Sequence, residues 1–138
     1  MSGAPKGWRD AAVHLSWLVP AVAYAGLIYF LSAQSYPLPE LTARVWDKLL
    51  HGIEYGGLAT LLVLGLDRVF RLGPLKLGAW AAGLASLYGA TDEFHQSFVP
   101  HRSSDVADWA ADTTGAALAA AVAVLALRRW RARASIGR

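Results

Sequence analysis

Cysteine is absent from the 138 residues, which excludes both a disulfide framework and a thiolate metal site. Charge is scarce: 17% of the residues are Asp, Glu, Lys or Arg, against 55% hydrophobic. A soluble domain of this length would carry more. No internal repeat is evident, and neither is an HExxH or similar metal spacing. Ser32, Ser103 and Ser104 lack the strand-to-helix context of a nucleophile elbow. No small-residue A-x-A site follows the first apolar run, which is also too long for a signal-peptide core. It reads as an uncleaved span.

What the chain does have is long apolar stretches. Four qualify as candidate membrane helices: 13–33, 47–66, 75–91 (reaching Gln96 if the helix continues) and 106–127. Each approaches the ~20 residues needed to cross ~30 Å of hydrocarbon. A soluble four-helix bundle would need a polar stripe along every helix. The run GAALAAAVAVLAL, 115–127, has none. The expected fold is all-α: a single domain over 1–138, its four-span bundle in 13–127, with a basic tail, 128–138.

The pI of about 9.5 does not point to nucleic acid, because the basic residues cap hydrophobic spans and form no patch. Lys6 and Arg9 precede the first span. Arg68, Arg71 and Lys76 sit between the second and third. Arg128, Arg129, Arg131, Arg133 and Arg138 follow the fourth. The positive-inside rule then places both termini in the cytoplasm. Acids have little say in orientation, so their sorting is separate information. Eight of the ten fall at the opposite, outer mouth: Glu40, Asp47, Glu54, Asp92, Glu93, Asp105, Asp108 and Asp112. His51, His95 and His101 join them, and only Asp10 and Asp67 stay inside. Trp46 and Trp109 outside, and Trp8, Trp17, Trp80 and Trp130 inside, suit interfacial anchors. Pro20 suits a tolerated kink early in the first span. The arginine-rich tail suits a topology anchor touching anionic lipid.

Ionisable groups at membrane depth are costly and mark function by default. Asp47, His51, Glu54 and Tyr55 share one helical face by their spacing. Tyr55 lies ~12 Å deeper than Asp47. Asp92, Glu93 and Gln96 can face one interior, with His95 nearly opposite. Asp105, Asp108 and Asp112 open the fourth span, Asp112 being ~10 Å inward of Asp105. Gly52 and Gly56 form a GxxxG, and Gly115 with Ala119 repeats small-xxx-small spacing; both permit close helix approach. Arg102 is the expected counter-ion and His51 the expected proton carrier. His51, Glu93, His95, His101 and Asp105 could supply metal ligands on paper, but without a recognisable spacing no metal or other cofactor is expected.

These residues resemble the VanZ-like family of small bacterial membrane proteins. The likeness rests on Asp47-Lys48-x-x-His51-x-x-x-Tyr55, on the run Asp92 to Arg102 with Glu93, Gln96 and Pro100, on Asp108-x-x-x-Asp112-x-x-Gly115, and on Leu31 to Ser35. It covers roughly residues 27–127. His101 departs from the pattern, standing where glycine is usual before the arginine. Asp112 takes a position shared by asparagine and aspartate. The resemblance implies an integral protein of the bacterial plasma membrane, in a family named for a member linked to teicoplanin resistance. It implies no settled reaction.

The expected binding pocket comprises Asp47, Lys48, His51, Tyr55, Asp92, Glu93, Gln96, Arg102, Asp105, Asp108 and Asp112. Its expected partners are an envelope lipid, a lipid-linked cell-wall precursor or a lipophilic glycopeptide, held by an acid-rich mouth with eight acidic against three basic residues. An enzymatic alternative uses Asp92 or Glu93 as general base, His51 as relay and Arg102 as a phosphate clamp on a lipid-linked substrate. A third reading makes the cluster interhelical glue within a scaffold.

Overall fold

The computed structural model describes residues 12–35, 44–102 and 104–136; side chains are described for 12–35, 47–102 and 104–135. Lys6, Trp8, Arg9, Asp10, the loop 36–43 with Glu40, Ser103 and Arg138 lie outside these, as do the side chains of Arg44 and Trp46. Among the described residues the chain is all-helical: a 3-10 turn Ser16–Leu18 leads into α1 (Val19–Ser32), followed by α2 (Arg44–Phe70), α3 (Pro74–Gln96) and α4 (Val106–Ile136).

Pro20 accounts for the 3-10 turn. It has no N–H to give the Ser16 carbonyl, which instead accepts from Val19 three residues on. Gly73 and Pro74 shape the α2–α3 corner. Gly73 is extended at the cap and Pro74 takes the first turn, where a missing N–H costs nothing. Asp105 caps α4, its Oδ1 accepting from Ala107 N–H at 2.8 Å.

Among the described residues, three stretches are long and apolar enough to cross a membrane: Ala12–Ser32, Asp47–Phe70 and Val106–Ser135. The third expected span, α3, differs. Its 23 residues have the length, but Lys76, Asp92, Glu93, His95, Gln96 and its many small residues keep it from that apolarity. At the far end α4 does not stop at Leu127 but carries the basic tail as helix to Ile136.

α2 lies at the centre, packed on α1, α3 and, most extensively, α4. The core lines up at helical spacing: Tyr55, Ala59 and Val63 from α2, Leu77, Ala81 and Ala85 from α3, Ala116, Ala120 and Val124 from α4, and Ala21 and Ile28 from α1. Outside this seam the apolar side chains face outward, among them Val22, Phe30, Ile53, Leu87, Leu118 and Val122. That arrangement suits lipid and would be an aggregation hazard in water.

The tightest point is Gly115 on Gly52. A Cβ on Gly115 would sit 2.0 Å from the Gly52 carbonyl oxygen and 2.6 Å from its Cα. One turn along the same seam, the Cβ position of Gly56 lies 3.3 Å from Ala119 Cβ. The two small-residue pairs therefore face each other across α2 and α4.

Gly115→Ala forces these backbones apart and costs about 3 kcal/mol or more. Gly83→Ala, where a Cβ meets nothing within 4 Å, is neutral or stabilising by about 0.5–1 kcal/mol. Thermal unfolding in detergent distinguishes them; equal melting temperatures would contradict the close approach.

Candidate functional site

The polar residues gather at the end of the bundle where α1 finishes, α2 and α4 begin and α3 finishes. Asp92, Glu93, Gln96, Asp108, Asp112 and His51 are buried there, with Ser32 of α1. Asp47 and Glu54 are half-buried and Asp105 is exposed.

Asp92 is held by neutral donors. Ser32 Oγ donates to its Oδ1 at 2.5 Å and Gln96 Nε2 to its Oδ2 at 2.9 Å. The Gln96 bond is an i, i+4 contact along α3, whereas Ser32 reaches across from α1. On the other side, Lys48 Nζ bonds Asp108 Oδ1 at 2.5 Å and also meets Asp105 Oδ2 at 3.4 Å. One turn deeper, His51 Nδ1 lies 3.0 Å from Asp112 Oδ1. Lys48 and His51 are three residues apart on α2, and Asp108 and Asp112 four apart on α4, so both cross-helix pairs repeat the register that Gly52 and Gly115 set.

Glu93 is seated by the turn that follows it. The Asp105 N–H donates to Glu93 Oε2 at 2.9 Å. The chain returns for that contact through a bend closed by Arg102 N–H on Val99 O at 3.1 Å. His101 sits in this bend at φ 64°. That left-handed conformation favours glycine, the residue that the VanZ-like resemblance leads one to expect at this position.

Several buried polar atoms have no hydrogen-bond partner: Tyr55 Oη, Glu93 Oε1, Asp112 Oδ2, Arg102 Nε and His95 Nε2. The Tyr55 phenol is fully enclosed. Asp112 and Tyr55 both border Gly89, whose absent Cβ would lie 3.0 Å from Asp112 Oδ2 and 3.3 Å from the Tyr55 ring.

The structure thus brings together Asp47, Lys48, His51, Tyr55, Asp92, Glu93, Gln96, Asp105, Asp108 and Asp112. Arg102 makes no ion pair within 4.0 Å among the described residues, its charge acting on Glu54 instead; the direct partner of Asp108 is Lys48, which enters α2 opposite it. Of the residues weighed on paper as metal ligands, His51 and Glu93 lie together, while the other two histidines stand apart. His95 turns away to stack on Tyr29, ring centroids 4.5 Å apart. His101 is exposed in the bend.

Sequence reasoning left Ser32 out of the pocket, although the run Leu31 to Ser35 had already drawn attention to it. It also missed the opposite end of the bundle, where buried Asp67 pairs with Arg131. Nearby, Arg68 lies over the Trp17 ring, 4.8 Å from its centroid.

The VanZ/LLP1 family model matches residues 6–127, nearly the whole chain and every residue of this cluster. The chain belongs to the VanZ/LLP1 family. With its apolar helices, this marks it as a membrane protein of that family. No curated protein and no solved structure matches it. Of the acidic residues that carried the family resemblance, Asp92, Glu93, Asp108 and Asp112 are buried and Asp47 is half-buried.

Replacing Lys48 by Met removes the partner of buried Asp108 and lowers the melting temperature clearly. Arg102→Met, which breaks no ion pair among the described residues, lowers it less. The reverse order in a detergent melting assay would make Arg102 the principal counter-ion.

Proposed function

We propose that this VanZ-family protein binds an amphiphile of the bacterial envelope, its polar head in the carboxylate cluster and its apolar chain in a groove between α2 and α4. The carrying observation is that groove. It encloses about 560 Å³ and is lined by small and apolar residues, including Gly52, Gly56, Gly115, Ala119, Ala123 and Ala126. It starts at the depth of the His51–Asp112 pair and follows α4 from Gly115 to Ala126. That is ~16 Å of helix axis, about half the ~30 Å hydrocarbon thickness. One leaflet's acyl chain has that reach.

The head-group end fits a polar or cationic moiety. Carboxylates outnumber cations there, and Glu93 Oε1 and Asp112 Oδ2 retain accepting capacity. With the basic ends of the spans in the cytoplasm, the cluster faces the outer leaflet of the plasma membrane. Envelope lipids, lipid-linked cell-wall precursors and lipophilic glycopeptides of the teicoplanin type, which carry amines and an acyl tail, all have the required form.

Turnover of a lipid-linked substrate is the second reading. It is favoured by His51 Nδ1 standing 3.0 Å from Asp112 Oδ1, with Glu93 close by. Such a pair orients an imidazole for proton transfer.

Native mass spectrometry of the protein extracted from membranes tests the binding reading. Wild type retains one amphiphile; Asp92→Asn, Glu93→Gln and the groove-filling Ala126→Trp lose it. Equal retention by all four proteins would overturn the proposal. Glu93→Gln cells also decide the second reading: turnover requires an altered envelope lipid profile at unchanged protein abundance.

A further inference from the structure

The deepest part of the cluster has the composition of a metal site. His51, Glu93 and Asp112 come from α2, α3 and α4, and each offers a donor atom within 4.8 Å of the other two. All three are buried. Glu93 and Asp112 are more than nine-tenths enclosed, at 6% and 1% exposure, and each keeps one carboxylate oxygen without any hydrogen-bond donor. Neighbouring carboxylates are otherwise supplied: Asp92 by Ser32 and Gln96, Asp108 by Lys48. Two enclosed carboxylates that each keep an oxygen without a donor, beside an imidazole, call for a cation or another donor.

We propose that His51, Glu93 and Asp112 bind one divalent first-row transition-metal ion. One imidazole and two carboxylates form a mixed nitrogen–oxygen set, suited to zinc or manganese and unlike the all-oxygen shells preferred by calcium and magnesium. The His51 Nδ1 to Asp112 Oδ1 distance of 3.0 Å already matches the separation of two neighbouring ligands, about 2.9–3.4 Å for bonds of roughly 2.0–2.1 Å. Three protein ligands leave a coordination position open, as in sites where a metal receives a ligand from outside.

A second set, Asp47, His51 and Asp108, shares the histidine. It is the weaker candidate. Asp47 is only half-buried, and Asp108 already accepts from Lys48 at 2.5 Å. The proposed metal does not rest on the amphiphile reading: ion binding is measurable on the delipidated protein.

The test uses the full chain purified in detergent, stripped with EDTA and re-equilibrated with Zn²⁺ or Mn²⁺. Metal content is read by elemental mass spectrometry after gel filtration, and affinity by competition with a chromogenic chelator. Wild type is expected to hold one equivalent of at least one of the two ions and to melt at a higher temperature with it. Glu93→Gln keeps the shape but loses the ligand oxygen. Its affinity falls by more than the roughly 10–100-fold typical of an outer-shell change. Asp47→Asn retains the ion. Failure of wild type to hold either ion, or loss in Asp47→Asn with retention in Glu93→Gln, would overturn the assignment.

Discussion

The arrangement depends on one backbone contact, Gly52 against Gly115. In lipid there is no hydrophobic drive between helices, so their association relies on close packing and polar contacts. Because Gly115 has no side chain, α2 and α4 approach until a single carbon added there would overlap the Gly52 carbonyl. That approach sets the register in which Lys48 meets Asp108 and His51 meets Asp112. Were the helices held apart by ordinary side chains, these pairs would open and leave buried charge uncompensated, a costly state.

The cluster is not uniformly charged, and the difference between its parts carries meaning. Asp92 is satisfied by a hydroxyl and an amide, Asp108 by an ammonium, and Glu93 in part by a backbone N–H. These look like bracing contacts: each ties one helix or turn to another. Glu93 Oε1 and Asp112 Oδ2 are not braced. With the Tyr55 phenol, they keep unmet hydrogen-bonding capacity in an enclosed place, which is what the proposed ligand would meet. At the opposite end, Asp67 and Arg131 close the bundle with a pair that leaves no such remainder.

Much of this was legible from the sequence because helical spacing is a rigid rule. The i, i+4 and i+7 pattern of Asp47, His51 and Glu54, and that of Asp92 with Gln96, is enough to say which residues share a face. The small-residue spacing likewise announced that two helices come close. What spacing does not give is which residue lies opposite which on another helix. Arg102 was therefore expected to be the counter-ion on the strength of its chemistry, yet Lys48 is the direct partner of Asp108 by its level on α2. His101 illustrates another limit. Its place in the motif was visible as a departure from glycine, but only the backbone angle shows what glycine would offer there. Ser32 shows a third: a lone serine at a helix end looks ordinary until its partner, sixty residues away, is known. The helical continuation of α4 past Leu127 was not visible in the hydropathy pattern, although arginine itself is a good helix former.

Cysteine cross-linking tests the central claim most directly, since the native chain has no cysteine to interfere. His51→Cys combined with Asp112→Cys should form a disulfide under mild oxidation in native membranes, seen as a linked peptide pair after proteolysis. Two thiols that stay free under oxidant, yet react fully with maleimide after denaturation, would show that α2 and α4 do not meet at this level.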